Sequence, residues 1–132
     1  MDPNRLTAIP LFSQLSPEET NRLAVFATET SIPEGQTLIK EGDYSIELIA
    51  IEEGTADVVR GGEKIASLTQ GDLIGEMGLL RREPRNADVI ATSPMRVIKL
   101  THWELRRMSA ETLGRIKELI ERRQAGVSDV AH

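Results

Sequence analysis

Residues 71–89 of the chain have the sequence GDLIGEMGLLRREPRNADV. A turn that opens at Gly75 and closes at Gly78 runs into two leucines, and Arg85 follows a proline. Because glycine has no Cβ atom, both glycines can adopt a positive φ and let an anion approach the backbone closely. The pattern therefore predicts a small anion-binding turn at the centre of the chain.

Two oppositely charged side chains complete this predicted site. The Arg85 guanidinium can pair two phosphate oxygens at once, and the first amides of a helical turn would add further donors. The Glu76 carboxylate cannot face a phosphate, but it is a natural acceptor for a hydroxyl group. The stretch thus predicts a ligand with one phosphate charge and one free hydroxyl. The alternative is an exposed ion pair between Glu76 and Arg85 that only holds a loop, worth ~0–1 kcal/mol.

The two halves of the stretch, GEMGLL at 75–80 and PRNADV at 84–89, resemble the phosphate-binding cassette of the cyclic nucleotide-binding domain family. In that family the glutamate takes the ribose 2′-hydroxyl and the arginine takes the cyclic phosphate, so the resemblance implies these roles for Glu76 and Arg85. The resemblance implies a ligand set of Gly75, Glu76, Met77, Gly78, Leu79, Arg85, Asn86 and Ala87. Asn86 departs from the small or hydroxylated residue that commonly follows the arginine, although its amide can still donate a hydrogen bond. The implied ligand is cAMP, with cGMP as the alternative, and no cofactor is expected.

Composition restricts the class of protein. The chain has 132 residues, 39% of them hydrophobic and 28% charged, which suits one globular domain. A net charge of −5 argues against direct binding of nucleic acid, which relies on clustered Lys and Arg. There are no cysteines, no signal peptide and no apolar run approaching the ~18 residues of a membrane span. We therefore expect a cytoplasmic protein without membrane contact.

The first part of the chain carries helix signals. Asp2 before a proline predicts an N-cap, opening a short helical piece that continues to Ile9. Ser16, with Glu19 three residues later, predicts a capping box for a second helix. That helix is expected to fade near residues 28–30, and the pattern becomes extended from Ser31 onward.

Short extended segments separated by glycine turns then follow. About eight strands are predicted between residues 31 and 100, with Gly61-Gly62 as a two-residue hairpin loop that needs positive φ. This spacing predicts a mainly β fold with flanking α-helices, in which the strands form an eight-stranded antiparallel jelly-roll barrel. The resemblance adds a short helix in the cassette and C-terminal helices that act as a lid.

The last third returns to a helical pattern. Thr101 and Ser109 are predicted caps for two helices that together span 101–124. In the family, the final helix covers the base of the ligand, which implies lid roles for Ile120 and Arg123. An amphipathic helix that docks on the barrel or on a partner is an equally good interpretation of each residue.

The predicted organisation is a single cyclic nucleotide-binding domain over 1–132, divided into N-terminal helices (1–30), the β jelly roll (31–100, with the cassette at 71–89), C-terminal helices (101–124) and a tail (125–132). No catalytic role is expected, because no nucleophile is paired with an activating base. A metal-dependent cupin enzyme is disfavoured because the two histidines, His102 and His132, are far apart in sequence. The predicted function is a cyclic nucleotide sensor that signals to an unidentified effector protein, as a monomer or weak homodimer. The alternative is a scaffold of the same fold that acts by protein contact without nucleotide.

Overall fold

A computed structural model of the chain describes residues 1–42, 47–74, 86–101 and 114–118. Short helices lie at the N-terminal end, and eight strands follow within these residues. The strands form two antiparallel sheets of four strands each.

The N-terminal helices begin where the capping residues predict. Helix α1, Pro3–Leu6, has Asp2 as its N-cap, and the Asp2 side chain accepts a hydrogen bond from the Asn4 amide at 2.9 Å. A 3-10 turn follows at Phe12–Gln14. The prediction that the first helical piece continues to Ile9 is wrong, because α1 ends at Leu6. Ile9 precedes a proline, and the proline ring disfavours the α conformation at the residue before it.

Helix α2, Pro17–Phe26, has the predicted capping box. The Glu19 amide donates to Ser16 Oγ at 3.2 Å, and the Ser16 amide donates to the Glu19 carboxylate at 3.0 Å. The helix ends earlier than the predicted fading near 28–30, because these residues already belong to the first strand. The cause is pairing with a distant strand, which the local sequence does not show.

The strands are β1 Thr28–Ile32, β2 Thr37–Ile39, β3 Glu47–Glu53, β4 Ala56–Arg60, β5 Glu63–Leu68, β6 Leu73–Ile74, β7 Asp88–Ala91 and β8 Met95–Thr101. The first sheet has the order β1-β8-β3-β6 and the second has the order β2-β7-β4-β5. Every pairing is antiparallel. This alternation of strands between two sheets is the arrangement of a double-sheet jelly roll, so the mainly β, antiparallel prediction is confirmed. Closure of the sheets into one barrel and the C-terminal lid stay predictions.

The β4–β5 hairpin has the predicted loop. Gly61 and Gly62 have φ values of +59° and +82°. Two successive positive φ values match the twist of paired strands, and they favour glycine because it lacks a Cβ atom. This loop was predictable because its requirement is local.

Two hydrophobic cores share the first sheet. The helix-side core consists of residues from the N-terminal helices, the first sheet and the helical residues 114–118: Leu6, Ile9, Leu11, Phe12, Leu15, Leu23, Ala24, Leu48, Ala50, Leu73, Ile98, Leu100 and Ile116. The inter-sheet core consists of residues from the facing sides of both sheets and Ala87: Ile32, Ile39, Ile49, Ile51, Ala56, Val58, Leu68, Ile74, Ala87, Val89, Ala91, Met95 and Val97. Strand β3 contributes alternate residues to both cores, which explains its continuous apolar sequence.

An ion-pair network fastens α1 to the first sheet. Arg5 Nη2 donates to Glu29 Oε1 of β1 at 2.8 Å, and Arg5 Nε donates to Glu52 Oε2 of β3 at 2.9 Å. Arg96 of β8 also pairs with Glu29. The four-residue helix α1 is thus tied to β1 and β3 by side-chain charges, and Arg96 extends the network to β8.

The C-terminal helices are described only in part. Residues 114–118 are helical, and Ile116 is 1% exposed within the helix-side core. Thr101, the predicted cap of the first of these helices, is the last residue of β8. The other residues of the predicted helices, 102–113 and 119–124, lie outside the described residues. In the described part of the chain, no helix is long and apolar enough to cross a membrane.

Candidate functional site

The predicted site occupies the connection between the two sheets. Strand β6 ends at Ile74 in the first sheet, and β7 begins at Asp88 in the second. Residues 75–85 between them lie outside the described residues, as do the predicted lid residues. The predicted ligand residues that fall outside are Gly75, Glu76, Met77, Gly78, Leu79 and Arg85, together with Ile120 and Arg123 of the lid. Asn86 and Ala87 are described, so the structure defines where this connection starts and where it ends.

The start of the connection is fixed by a turn packed against β3. Gly71 has a φ of +91°, and its amide donates to the Ile51 carbonyl at 2.8 Å. The Ile51 amide in turn donates to the Asp72 carbonyl at 2.9 Å. The Asp72 carboxylate closes the turn by accepting from the Thr69 amide at 2.8 Å. These hydrogen bonds fix the chain just before Ile74, which is fully buried and directly precedes Gly75 in the sequence.

The end of the connection is anchored in the second sheet. Ala87 is 2% exposed and belongs to the inter-sheet core. Asp88 Oδ1 accepts a hydrogen bond from the Glu41 amide at 2.6 Å, which ties the start of β7 to the residues that follow β2. Arg60 Nε at the end of β4 donates to the Asn86 carbonyl at 3.0 Å. Three separate contacts therefore hold the residues that directly follow Arg85.

The Asn86 side chain presents an unused hydrogen-bonding atom. Its Oδ1 is buried and has no hydrogen-bond partner among the residues that the structure describes. Buried polar atoms are normally paired, because an unmade hydrogen bond costs about 1–3 kcal/mol. The atom can accept a hydrogen bond from a hydroxyl or amino group that enters the site. The sequence predicted that Asn86 donates a hydrogen bond through its amide nitrogen, whereas in the structure it is the amide oxygen that lacks a partner among the described residues.

Two residues near the site were missed from the sequence. Arg60 and Asp88 both contact the end of the connection. Arg60 lies outside the motif, and Asp88 lies within it but was not predicted as a site residue. The alternation along β4 gave a usable signal for Arg60, since it follows the inward-facing Ala56 and Val58 at a spacing of two. Asp88 gave no such signal, because its partner is a backbone amide distant in sequence.

The described residues offer no metal site. Among 1–42, 47–74, 86–101 and 114–118, no group of three or more His, Cys, Asp or Glu side chains could hold a metal ion. Both histidines lie outside these ranges.

A cleft of about 580 Å³ lies elsewhere, between the start of α2 and the helical residues 114–118. Its lining residues are mostly charged: Ser16, Glu18, Glu19, Arg22, Gly114, Arg115 and Glu118. None of them belongs to the predicted ligand set, so this cleft is separate from the connection between β6 and β7.

Comparison with known protein families identifies the family of this domain. The family model described as the cyclic nucleotide-binding domain matches residues 29–112. This range includes both sheets and the entire connection between β6 and β7. The chain belongs to the cyclic nucleotide-binding domain family, which confirms the resemblance.

Two of the curated relatives are regulatory subunits of protein kinases. A cAMP-dependent protein kinase regulatory subunit from Hypocrea atroviridis is 34% identical over 119 residues, which is 90% of this chain and 25% of the relative. A second, from Yarrowia lipolytica, is 34% identical over 115 residues, covering 86% of this chain and 31% of the relative. The chain therefore spans about a quarter to a third of the length of these relatives.

Three solved structures share the fold. A cAMP-bound PfPKA-R structure has a TM-score of 0.81 at 26% identity, covering 92% of this chain and 42% of that one. The regulatory subunit of a cAMP-independent protein kinase A from Trypanosoma brucei has a TM-score of 0.80 at 30% identity, covering 92% and 44%. A cyclic nucleotide-binding protein from Geobacter metallireducens, named as putative, has a TM-score of 0.82 at 25% identity, covering 92% and 94%. This chain is thus a regulatory-type cyclic nucleotide-binding domain similar to those of protein kinase A regulatory subunits.

Proposed function

We propose that this chain is a non-catalytic sensor that binds a cyclic nucleotide, with cAMP preferred over cGMP. The observation that carries the proposal is the anchored connection between β6 and β7. It carries both Glu76 and Arg85, it starts at a fully buried Ile74, and it ends at a residue held by Arg60. The preference for cAMP is supported by the cAMP-dependent relatives and by the cAMP-bound structural neighbour.

The ligand would be held by charge at one end and by hydroxyl recognition at the other. Arg85 would pair with the cyclic phosphate, and the backbone amides near Gly75 and Gly78 would add donors. Glu76 would accept the ribose 2′-hydroxyl, and the unpartnered Asn86 Oδ1 would be a further acceptor. Met77, Leu79 and Ala87 would supply apolar contacts. Local attraction by Arg85 is essential in a chain with a net charge of −5, because the overall field repels an anion.

The signal would leave the domain through its C-terminal helices. Ligand would bind better when residues 101–124 are closed over the site, with Ile120 and Arg123 near the base, and would thereby shift the population of closed molecules. The burial of Ile116 among the N-terminal helices supports this route, because a displacement there must repack the helix-side core. The relatives suggest a protein kinase as the effector that reads the change.

The first experiment is a thermal melt with cAMP, cGMP and a cyclic dinucleotide in parallel. Ligand at about 100 times its Kd adds ~2.7 kcal/mol, which for a chain of this size corresponds to about 10 °C. We expect the largest shift with cAMP. Arg85→Ala should weaken binding by ~2–5 kcal/mol, or about 30-fold to several thousand-fold, because the phosphate loses its paired charge. Equal affinity of Arg85→Ala and the parent would refute the site assignment.

Movement of the C-terminal helices has its own test. Hydrogen exchange with and without saturating cAMP should differ across residues 101–124, because closure protects amides that open in the free protein. Exchange in β3 and β8, whose buried residues form both cores, should change little and serves as the internal control. Identical hydrogen exchange across 101–124 with and without cAMP would refute the proposed closure of the C-terminal helices, but it would not contradict ligand binding.

A second candidate function is a protein-interaction scaffold without nucleotide. The Trypanosoma brucei neighbour motivates it, since that regulatory subunit belongs to a cAMP-independent kinase and is 30% identical to this chain. The fold therefore does not by itself require cAMP. The absence of any thermal shift with the three nucleotides would favour this candidate.

A further inference from the structure

We propose that Arg60 is a second guanidinium of the nucleotide phosphate site, in addition to Arg85. The inference rests on the proposed function and deepens it, because it assigns a ligand-binding and positioning role to a residue outside the cassette motif. Arg60 is the last residue of β4, and the exposed Gly61-Gly62 loop follows it.

Strand geometry directs Arg60 toward the space between the sheets. Side chains two residues apart lie on the same face of a strand. Ala56 and Val58 of β4 are fully buried in the inter-sheet core, so the next position on that face is Arg60. Because Arg60 itself is exposed, it lies at the rim of this face, where the apolar core ends and solvent begins.

The register with β7 supports the same direction. Val58 pairs with Val89 and Val59 pairs with Asp88. One further step along both strands brings Arg60 opposite Ala87, which is buried in the inter-sheet core. Side chains of opposite residues in an antiparallel pair lie on the same face of the sheet. Arg60 is therefore on the inner face at the point where the connection from β6 arrives.

A direct contact joins Arg60 to the site. Its Nε donates to the Asn86 carbonyl at 3.0 Å, and Asn86 is the residue bonded to Arg85. Asn86 follows Arg85 directly in the sequence, so this hydrogen bond holds the residue that comes immediately after Arg85. Within the described part of the chain, no second hydrogen bond or ion pair of this guanidinium is found. Its terminal nitrogens are thus available to an anion, whereas Nε holds the backbone that bears Arg85.

The nearby Asn86 Oδ1 strengthens the assignment. Asn86 Oδ1 is a buried acceptor without a donor, and Arg60, which contacts the same residue, has donors that are not used. Among the described side chains, none supplies the missing hydrogen-bond partners. A ligand that offers both an anionic phosphate and hydroxyl or amino donors would satisfy both groups. A cyclic nucleotide has this chemistry.

The test compares Arg60→Gln with Lys64→Gln by calorimetric titration with cAMP. Both variants lose one positive charge from the second sheet, but Lys64 on β5 pairs with Asp57 at 3.4 Å and lies opposite Val59, on the face of the sheet that points away from the inter-sheet core. We expect Arg60→Gln to weaken cAMP binding about tenfold, because a charged hydrogen bond and the support of Asn86 are lost together. Lys64→Gln should bind like the parent. Arg60→Lys should fall between them, since it keeps the charge but loses the planar fork.

Two further readouts separate a ligand contact from a structural tie. The affinity of Arg60→Gln for cAMP should depend less steeply on salt than that of the parent, because one phosphate-facing charge is gone. A residue that only joined β4 to β7 would instead lower the Tm of the free protein and leave affinity unchanged. Affinity of Arg60→Gln within about twofold of the parent, or a loss matched by Lys64→Gln, would overturn the inference.

Failure of this inference is distinguishable from failure of the proposed function. If the parent binds cAMP, Arg85→Ala does not, and Arg60→Gln binds like the parent, then only the role of Arg60 is rejected. If the parent binds no cyclic nucleotide, the proposed function and the role of Arg60 both fall.

Discussion

The helix-side core and the inter-sheet core share one sheet but are closed in different ways. The helix-side core is covered by short helices, with four residues in α1 and ten in α2. Isolated helices shorter than about 12–15 residues are marginal in water, so this cover depends on side-chain burial and on the Arg5 ion pairs. The inter-sheet core is enclosed by two sheets. Within each sheet, backbone hydrogen bonds join the neighbouring strands.

This difference gives each core a distinct relation to the candidate site. Both ends of the connection that carries Glu76 and Arg85 are attached to the inter-sheet core, through Ile74 and Ala87. Ile116 of the C-terminal segment is attached to the helix-side core. In the proposed sensor, the inter-sheet core would hold the ligand site, and the helix-side core would repack when the C-terminal segment moves.

The largest expected effect comes from the helix-side core. Phe12 is 1% exposed, and Phe12→Ala should cost ~3–5 kcal/mol of unfolding free energy because it leaves a large cavity. If the N-terminal helices can unfold while the sheets stay folded, the helical circular dichroism signal of this variant should be lost at a lower urea concentration than the strand signal.

The control is Val25→Ala in α2, since Val25 is 77% exposed and should change the free energy of unfolding by no more than about 0.5 kcal/mol. A single transition for Phe12→Ala, with both signals lost together, would show that the two cores unfold as one unit.

A smaller effect is expected from the ion pairs that hold the cover. Arg5→Gln removes the partner of Glu52, whose side chain is 14% exposed, and should cost ~1–3 kcal/mol because charged hydrogen bonds are lost. Chemical denaturation at low and high salt measures this loss. For comparison, Lys64→Gln disrupts an exposed pair with Asp57 at 3.4 Å and should cost at most about 0.5 kcal/mol. Equal losses in the two variants would mean that the Arg5 network contributes no more than ordinary surface charge.

The smallest effect tests the inter-sheet core. Ile51 is fully buried, and Ile51→Val should cost ~0.5–1.5 kcal/mol because one methylene is removed from a close-packed site. The loss should appear as a shift of one cooperative urea transition. Ile65→Val is the matched control, since Ile65 on β5 is 39% exposed and the same change should be nearly neutral. Separate urea transitions for the helix and strand signals of Ile51→Val would contradict the prediction that a loss in this core affects the whole domain as one unit.

Features with local causes were predictable. The caps at Asp2 and Ser16 were predicted, because a side-chain oxygen near the first helical amides acts within three residues. The Gly61-Gly62 loop was predicted for a similar reason, since two positive φ values favour glycine. The cassette motif and the family were also evident in the sequence.

The start of β1 was missed because its residues are polar. Thr28–Ile32 reads TETSI, which has little apolar alternation, so the helix was extended into it. The strand forms because Thr28 pairs with Lys99 and Ile32 with Met95, across about half of the chain. Strand formation in such a segment is decided by its partner rather than by its own propensity.

The helix starts, the tight hairpin, the succession of strands and the motif of Glu76 and Arg85 were readable from the sequence, because each depends on neighbouring residues or on the spacing within one stretch. The strand order, the division into two cores, the Arg5 network and the contact between Arg60 and Asn86 were not, and they appear only in the folded chain. They depend on residues that are far apart in the sequence. Arg60 and Asn86 are separated by 26 positions, and their contact exists because β4 and β7 pair in one sheet.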